Sequence, residues 1–195
     1  KLSHEIAMNE LTGFEFASGI PGSLGGAVTM NAGAYGGQIK DCAVGATVID
    51  EKGDVVHLSK EELDFGYRMS AIQKRGLIVL LASFEFVKGD KDIIFNTIND
   101  LNSRRKEKQP LEYPSAGSTF KRPEGYFAGK LIMDSGLQGF RIGDIMVSTK
   151  HCGFVINAGQ GTAKDVRKVI DHVIYTVYEK FGVRLEPEVR FLGEF

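Results

Sequence analysis

The sequence has almost no net charge, few cysteines and no long apolar run, and each shortage removes a class of function. Lys and Arg number 24 against 25 Asp and Glu, for a formal net charge of −1. No long-range field therefore draws the chain to nucleic acid or to an anionic membrane surface. The two cysteines, Cys42 and Cys152, give neither metal-ligand spacing nor a disulfide framework, which points to a reducing, cytosolic compartment. The longest apolar run, Leu77–Ala82, is too short to cross a bilayer and reads as a buried strand. No secretory-leader pattern opens the chain. It starts at Lys1 with residues that read as mid-protein, so a piece of a longer protein is expected. What remains is the balance of a soluble globular protein, 43% hydrophobic and 25% charged over 195 residues. That length suffices for one substantial domain or two small ones.

Glycine is the residue in excess, at 24, and it is densest from Gly19 to Gly37. Beyond that cluster, Ala43–Asp50 and Val55–Leu58 are strand-like and flank a hairpin turn signal, Glu51-Lys52-Gly53-Asp54. Ser59-Lys60-Glu61-Glu62 matches a capping box and predicts a short helix. Leu77–Val87 reads as a further strand, and Asp90 to about Lys106 as an amphipathic helix with Ile93, Ile94, Ile98 and Leu101 on one face. Pro110 and Pro114 mark 109–118 as a domain junction. A helix over Tyr126–Met133 ending near Gly136 and a strand over Gly153–Asn157 follow. Thr162 caps the clearest element. Val166, Val169, Ile170, Val173, Ile174, Val177 and Phe181 keep one apolar stripe up to a stop at Gly182. The chain closes with Arg184–Leu192, a strand broken by Pro187. Helices and strands mix without a strict βαβ rhythm, which places the fold in the α+β class.

Four segments carry chemistry. Gly22, Gly25 and Gly26 clear side chains from one face, so backbone N–H groups can approach a phosphate or a flat ring. Close packing of a small-residue helix on a sheet explains the same glycines equally well. The spacing fits neither a dinucleotide-binding nor a P-loop glycine motif. In Phe65-Gly66-Tyr67-Arg68-Met69-Ser70, a guanidinium fork beside Tyr and Ser suits a carboxylate, although a surface arginine in a turn reads the same. Ser118, in Ala116-Gly117-Ser118-Thr119-Phe120-Lys121, is a hydroxyl bracketed by basic groups and suited to an anionic ligand; such a tripeptide is also an ordinary turn. Glu186 and Glu188, two apart, share a face of a regular strand, either as an exposed edge or as a working pair. His151 and Cys152 read as a strand entrance, and Tyr175 and Tyr178 as packing on the last helix.

In this order the four segments resemble the UDP-N-acetylenolpyruvoylglucosamine reductase (MurB) family, over about Gly13–Gly193. Gly19-Ile20-Pro21-Gly22-Ser23-Leu24-Gly25-Gly26-Ala27 and the following Asn31-Ala32-Gly33 resemble that family's flavin-contacting loop and helix. The resemblance implies the two-part FAD-binding fold shared with vanillyl-alcohol-type oxidases, with FAD near Gly19, Ile20, Pro21, Gly22, Ser23, Gly25, Gly26, Ala27, Asn31 and Gly33. Tyr67-Arg68-Met69-Ser70 is similar to the stretch whose arginine engages the substrate's enolpyruvyl carboxylate, which implies catalytic Arg68 with Tyr67 at the substrate. Ala116–Pro123 resembles the signature around the family's proton-donating serine, here Ser118, with Lys108, Lys121 and Arg122 near the diphosphate or sugar. The glutamate directly before Val189-Arg190 is catalytic by the same resemblance, which selects Glu188. The fold must then bring Ser118 and Glu188 together.

The implied reaction uses NADPH and FAD to reduce UDP-N-acetylglucosamine enolpyruvate to UDP-N-acetylmuramate, with no metal, nucleic acid or membrane involved. The implied organisation is the second part of an FAD-binding domain over 1–108, a substrate-binding domain over 109–187, and a C-terminal strand over 188–195 returning toward the flavin site. Two departures accompany the likeness. The family opens with another small α/β subdomain carrying a loop for the FAD diphosphate, which has no counterpart here, and the stretch between Arg68 and Ser118 resembles the shorter branch without a tyrosine loop. The readings that compete are a ligand-binding piece deficient in FAD and a flavin oxidase of the same fold.

Overall fold

A computed structural model describes residues 1–194 and resolves two compact units, Lys1–Arg105 and the remainder from Lys106 onward. Phe195, the last residue of the expected C-terminal strand, lies outside the described residues.

The first unit runs through α1 (Leu2–Met8), β1 (Leu11–Thr12), α2 (Leu24–Thr29), β2 (Gly33–Ala34) and β3 (Gly37–Gln38). It continues with β4 (Ala43–Ile49), β5 (Val55–Ser59), α3 (Ala71–Lys74), β6 (Ile78–Phe84), β7 (Val87–Lys88) and α4 (Lys91–Lys108), the last of which crosses the unit boundary. Its centre is an antiparallel sheet in the order β5-β4-β6. The β4–β5 turn forms where expected. Asp50 Oδ1 accepts the N–H groups of Lys52 and Asp54, both at 2.9 Å, and Gly53 takes φ +87°. These bonds set the register Ile49↔Val55, so Ala46, Val48 and Leu58 reach the core with Phe14, Phe16, Val28 and Ile72.

Three sequence expectations fail in this unit, each for a local reason. The Ser59–Glu62 capping box closes reciprocally, with Ser59 N–H to Glu62 Oε2 at 2.8 Å and Glu62 N–H to Ser59 Oγ at 3.3 Å. No helix follows, because Asp64 turns left-handed at φ +42° after a single turn. The Leu77–Ala82 run is not a buried strand. β6 is the sheet edge, and Ile78, Leu80 and Leu81 are exposed, Leu81 to 68%. On α4, Ile94 and Ile98 are buried while Ile93 is 67% exposed. Neighbouring positions on a helix point about 100° apart, so one stripe holds Ile94 and Ile98 but not Ile93.

The second unit contains β8 (Ser115–Ser118), α5 (Ala128–Asp134), β9 (Arg141–Ile142), β10 (Ile145–Val147), β11 (Phe154–Asn157) and α6 (Ala163–Phe181). Its antiparallel sheet has the order β8-β11-β10-β9. α6 lays Val169, Ile170, Val173 and Val177 into a core with Leu131, Ile132, Val147 and Leu185. Its ends are those read from sequence. Thr162 and Asp165 form a capping box, and Gly182 at φ +67° stops the helix with its N–H on Tyr178 O at 2.8 Å. Gly136, at φ +78°, follows α5 in the same manner.

Arg184–Leu192 is not a strand. The segment joins the unit by an isolated bridge, Phe120↔Pro187. Lys121 N–H donates to Glu186 O at 2.9 Å and Glu188 N–H to Thr119 O at 2.8 Å. Pro187 thus occupies a non-hydrogen-bonded pair, where its missing N–H costs nothing, yet it cannot continue a ladder. Helices and sheets together make this an α+β protein.

Ile170 is fully buried, so Ile170→Ala should destabilise this chain by about 2–5 kcal/mol. Tyr175→Ala, on the exposed face of the same helix, should stay within about 0.5 kcal/mol. Urea unfolding followed by circular dichroism measures both, and comparable losses would mean that α6 packs differently.

Candidate functional site

The glycine segment answers both readings of its glycines at once. Gly25 is a packing residue: it faces the sheet where α2 meets β6, and a Cβ there would lie 3.6 Å from Val79 Cβ, an ordinary contact. Gly22 is not. It adopts φ +128°, and a Cβ would meet nothing within 4 Å, so the residue serves backbone shape beside open space. Ser23 caps α2 by accepting the N–H of Gly26 at 3.1 Å. Pro21, Gly22, Ser23 and Gly26 are exposed, and Ile20 and Ala27 are half-buried. The N–H groups of Gly22, Ser23, Leu24 and Gly25 form no hydrogen bond among the described residues. An exposed stretch whose one large exposed side chain is Leu24, with backbone donors that bond nothing among the described residues, fits a flavin ring or a phosphate.

Arg68 sits on a loop bound tightly to this segment. Gly66 and Met69 exchange backbone hydrogen bonds at 2.9 and 3.4 Å, which leaves Tyr67 and Arg68 at the tip of a two-residue turn. Arg68 is left-handed at φ +54°, a conformation that costs a non-glycine residue about 1–2 kcal/mol. Three side-chain bonds hold the turn there. Asn31 Nδ2 donates to Gly66 O at 2.9 Å, Ser70 Oγ to Thr29 O at 2.7 Å, and Arg68 Nη2 to Gly33 O at 3.2 Å. Asn31 is 1% exposed. Its Oδ1 also accepts the N–H of Lys40, and its Nδ2 donates to Gln38 Oε1, both at 2.9 Å. The sequence marked Asn31 as a flavin neighbour; in the structure its amide is occupied in joining the glycine segment to the Arg68 turn. The guanidinium of Arg68 lies 5.3 Å from the centre of the exposed Tyr67 ring.

In the second unit the bridge at Phe120↔Pro187 brings the neighbourhoods of Ser118 and Glu188 together, since Glu188 donates to the carbonyl of the residue after Ser118. Thr119 is the joint. It is 1% exposed, its N–H donates to Gly153 O at 2.8 Å, and its Oγ1 accepts the N–H of Val155 at 2.9 Å across the β8–β11 bulge. Nothing in the motif singled Thr119 out, because its role needs β11 as a neighbour. Ser118 is exposed and its hydroxyl makes no hydrogen bond among the described residues. The two glutamates differ. Glu186 forms an ion pair with Lys121, while Glu188 is half-buried on the other side of Pro187. Arg122 stacks 4.0 Å over the Phe127 ring and its Nε donates to Tyr126 O at 3.2 Å; Lys108 is exposed at the end of α4.

His151 Nδ1 accepts the N–H of Gly153 at 3.0 Å, and burial lowers its pKa, so a neutral imidazole shapes the turn before β11. Burial also raises both thiols, that of Cys42 to about 11 with Asp41 adding to the effect. Both are poor nucleophiles.

A family model for FAD-binding domains matches residues 1–59, and one for the C-terminal domain of UDP-N-acetylenolpyruvoylglucosamine reductase matches residues 109–192. The reductase of Lachnoclostridium phytofermentans is 64% identical over 190 residues, which cover 97% of this chain and 61% of that protein. That of Clostridium novyi is 62% identical over 186 residues, 95% of this chain and 61% of that one. The crystal structure of the Thermus caldophilus reductase superposes with a TM-score of 0.85 at 36% identity, covering 97% of this chain and 67% of the other. The chain belongs to the UDP-N-acetylenolpyruvoylglucosamine reductase family. It spans about three-fifths of the length of the curated reductases it matches. In this chain the FAD-domain match covers the glycine segment and the C-terminal-domain match covers Ser118 and Glu188.

Two outcomes follow from the site geometry. Asn31→Ala leaves buried partners unsatisfied at about 1–3 kcal/mol each, so it should destabilise the first unit by at least about 2 kcal/mol and speed amide exchange at 66–70. Hydrogen-exchange mass spectrometry with urea unfolding measures this; unchanged protection at 66–70 would remove Asn31 as the clamp. In the native protein neither cysteine should react with Ellman's reagent at pH 8, whereas both should react in denaturant; rapid native labelling would contradict the burial of the thiols.

Proposed function

We propose that this chain is the flavin-contacting and substrate-binding portion of an NADPH-dependent enzyme that reduces UDP-N-acetylglucosamine enolpyruvate to UDP-N-acetylmuramate for peptidoglycan precursors. The observation that carries the reading is the pairing of the Ser118 and Glu188 neighbourhoods through Thr119, in a chain of this reductase family. Bound FAD supplies the relay of hydride from NADPH to the substrate. The backbone of Gly19–Ala27, with its open donors, holds that cofactor.

The chain's own residues do the rest. As hydride reaches the enolpyruvyl methylene carbon, negative charge develops on the neighbouring carbon and spreads into the carboxylate. Arg68, fixed in a left-handed turn, offers its planar fork to that carboxylate, where preorganised charge is most effective. Tyr67 lies against the same group. Ser118 delivers a proton to the carbon next to the one that received hydride, so the double bond gains one hydride and one proton. A serine hydroxyl is weakly acidic, and Glu188, protonated or hydrogen-bonding, supports the transfer. Lys121, which the free protein pairs with Glu186, and Lys108 and Arg122 serve the diphosphate or the sugar. High thiol pKa values suit a reducing cytoplasm, where this precursor chemistry would run.

Stopped-flow kinetics on the enzyme at the full length of its relatives tests the reading. Ser118→Ala should leave NADPH-driven flavin reduction within about twofold and slow the second half-reaction by at least about 10²-fold. Equal slowing of both halves would remove Ser118 from proton transfer. Arg68→Lys keeps the charge but loses the fork, and kcat/KM should fall about 10- to 100-fold; near-normal kinetics would mean that another group binds the carboxylate. An enzyme that stays colourless when FAD is added would refute the flavin reading as a whole and favour a ligand-binding protein without FAD.

A further inference from the structure

Arg105, the first residue of the basic stretch Arg105-Lys106-Glu107-Lys108 ahead of Pro110, is a buried cation with no counter-charge among the described residues. It is 8% exposed and forms no ion pair among the described residues. Its Nη2 donates to Ser18 O at 3.2 Å, its Nε is buried without a hydrogen-bond partner, and its Nη1 makes no hydrogen bond among the described residues. Its central carbon lies 5.5 Å from the centre of the Tyr35 ring.

The surrounding residues are shaped to admit it. A Cβ at Gly19 would stand 3.2 Å from Arg105 Nε and 2.7 Å from Asn102 Oδ1, so a side chain there would displace both of these groups. Asn102 Nδ2 donates to Ser18 Oγ at 3.1 Å and fixes the same stretch. Removing a guanidinium from water without a counter-charge is unfavourable, and an apolar side chain of similar size would be the more stable choice. Such a group is retained where a bound ligand brings the missing charge. The guanidinium borders Ser18, Gly19 and Tyr35, all within or beside the glycine segment assigned to FAD.

We propose that Arg105 is a cofactor-binding residue whose guanidinium meets the negative charge on the pyrimidine edge of the reduced flavin. The proposal rests on the flavin reading above. A hydride from the nicotinamide brings two electrons and one proton, so a neutral flavin ring gains one negative charge, centred on that edge. A charge-assisted hydrogen bond from a group that never loses its proton is then stronger to the reduced cofactor than to the oxidised one. Arg105 therefore raises the flavin's reduction potential and favours its acceptance of hydride.

The experiment uses the enzyme at the full length of its relatives, with Arg105→Met as the neutral variant and Arg105→Lys as the charge-retaining one. The methionine leaves no unpaired buried donor, so that variant folds, which circular dichroism checks. Dye-equilibration of the potential, FAD titration and sulfite addition to the bound flavin are the readouts. In Arg105→Met the affinity for reduced FAD should fall about 10- to 100-fold more than that for oxidised FAD. Its potential becomes more negative and its sulfite adduct weaker, while Arg105→Lys keeps most of both. A folded Arg105→Met enzyme with wild-type potential and sulfite affinity overturns the proposal while leaving the flavin reading intact. A wild-type enzyme that binds no FAD overturns both. If Arg105→Met does not fold, an Arg105→Lys enzyme with a wild-type potential supports the role of charge, and one whose potential falls as FAD affinity holds overturns it.

Discussion

A loop with few side chains cannot hold its own shape, and in the first unit one buried amide supplies what the loop lacks. Asn31 uses both ends of its side chain, accepting from Lys40 and donating to Gln38 and to Gly66. Its own backbone is left-handed at φ +43°, a conformation that asparagine tolerates better than most residues. The glycine segment and the Arg68 turn thereby share one anchor. Without it, Arg68 would have little reason to stay in a strained conformation.

The second unit solves a related problem with a threonine. A proline-bearing tail cannot join a sheet as a regular strand, so it docks through one non-hydrogen-bonded pair and the two bonds that flank it. Thr119 lies under that dock and uses its N–H, its carbonyl and its hydroxyl, the last to close the β8–β11 bulge. Ser118 is left exposed just before this rigid residue, on a strand end rather than a loose turn. The bulge places an exposed hydroxyl next to a fixed backbone, and such irregularities often re-aim a side chain.

Helix ends and hairpin turns were legible because their physics is local. Thr162, Gly182, Gly136 and the Glu51–Asp54 turn all act over a few residues, and the structure realises each one, with Asp165 completing the cap and Asp50 the turn. The Ser59–Glu62 box was legible too, but a box specifies only a start, and Asp64 ended the element before a second turn. Expectations failed where burial depended on partners. Ile93 and Ile94 look alike in sequence, and Leu80 and Leu81 lie in what reads as core, yet an edge strand leaves such residues open.

From the sequence alone came the α+β class, the family resemblance and the residue types at each motif, because these depend on short-range pattern and on the order of segments. The tertiary structure decided which glutamate is paired with Lys121, that Thr119 rather than its neighbours joins the tail to the sheet, that Asn31 is a clamp, and that Arg105 is buried with no counter-charge among the described residues. Every one of these depends on a hydrogen bond or a close approach between residues far apart in the chain, as with Asn31 and Gly66, Thr119 and Glu188, or Gly19 and Arg105. Pattern along a chain carries no information about such distances until the strands and helices have packed.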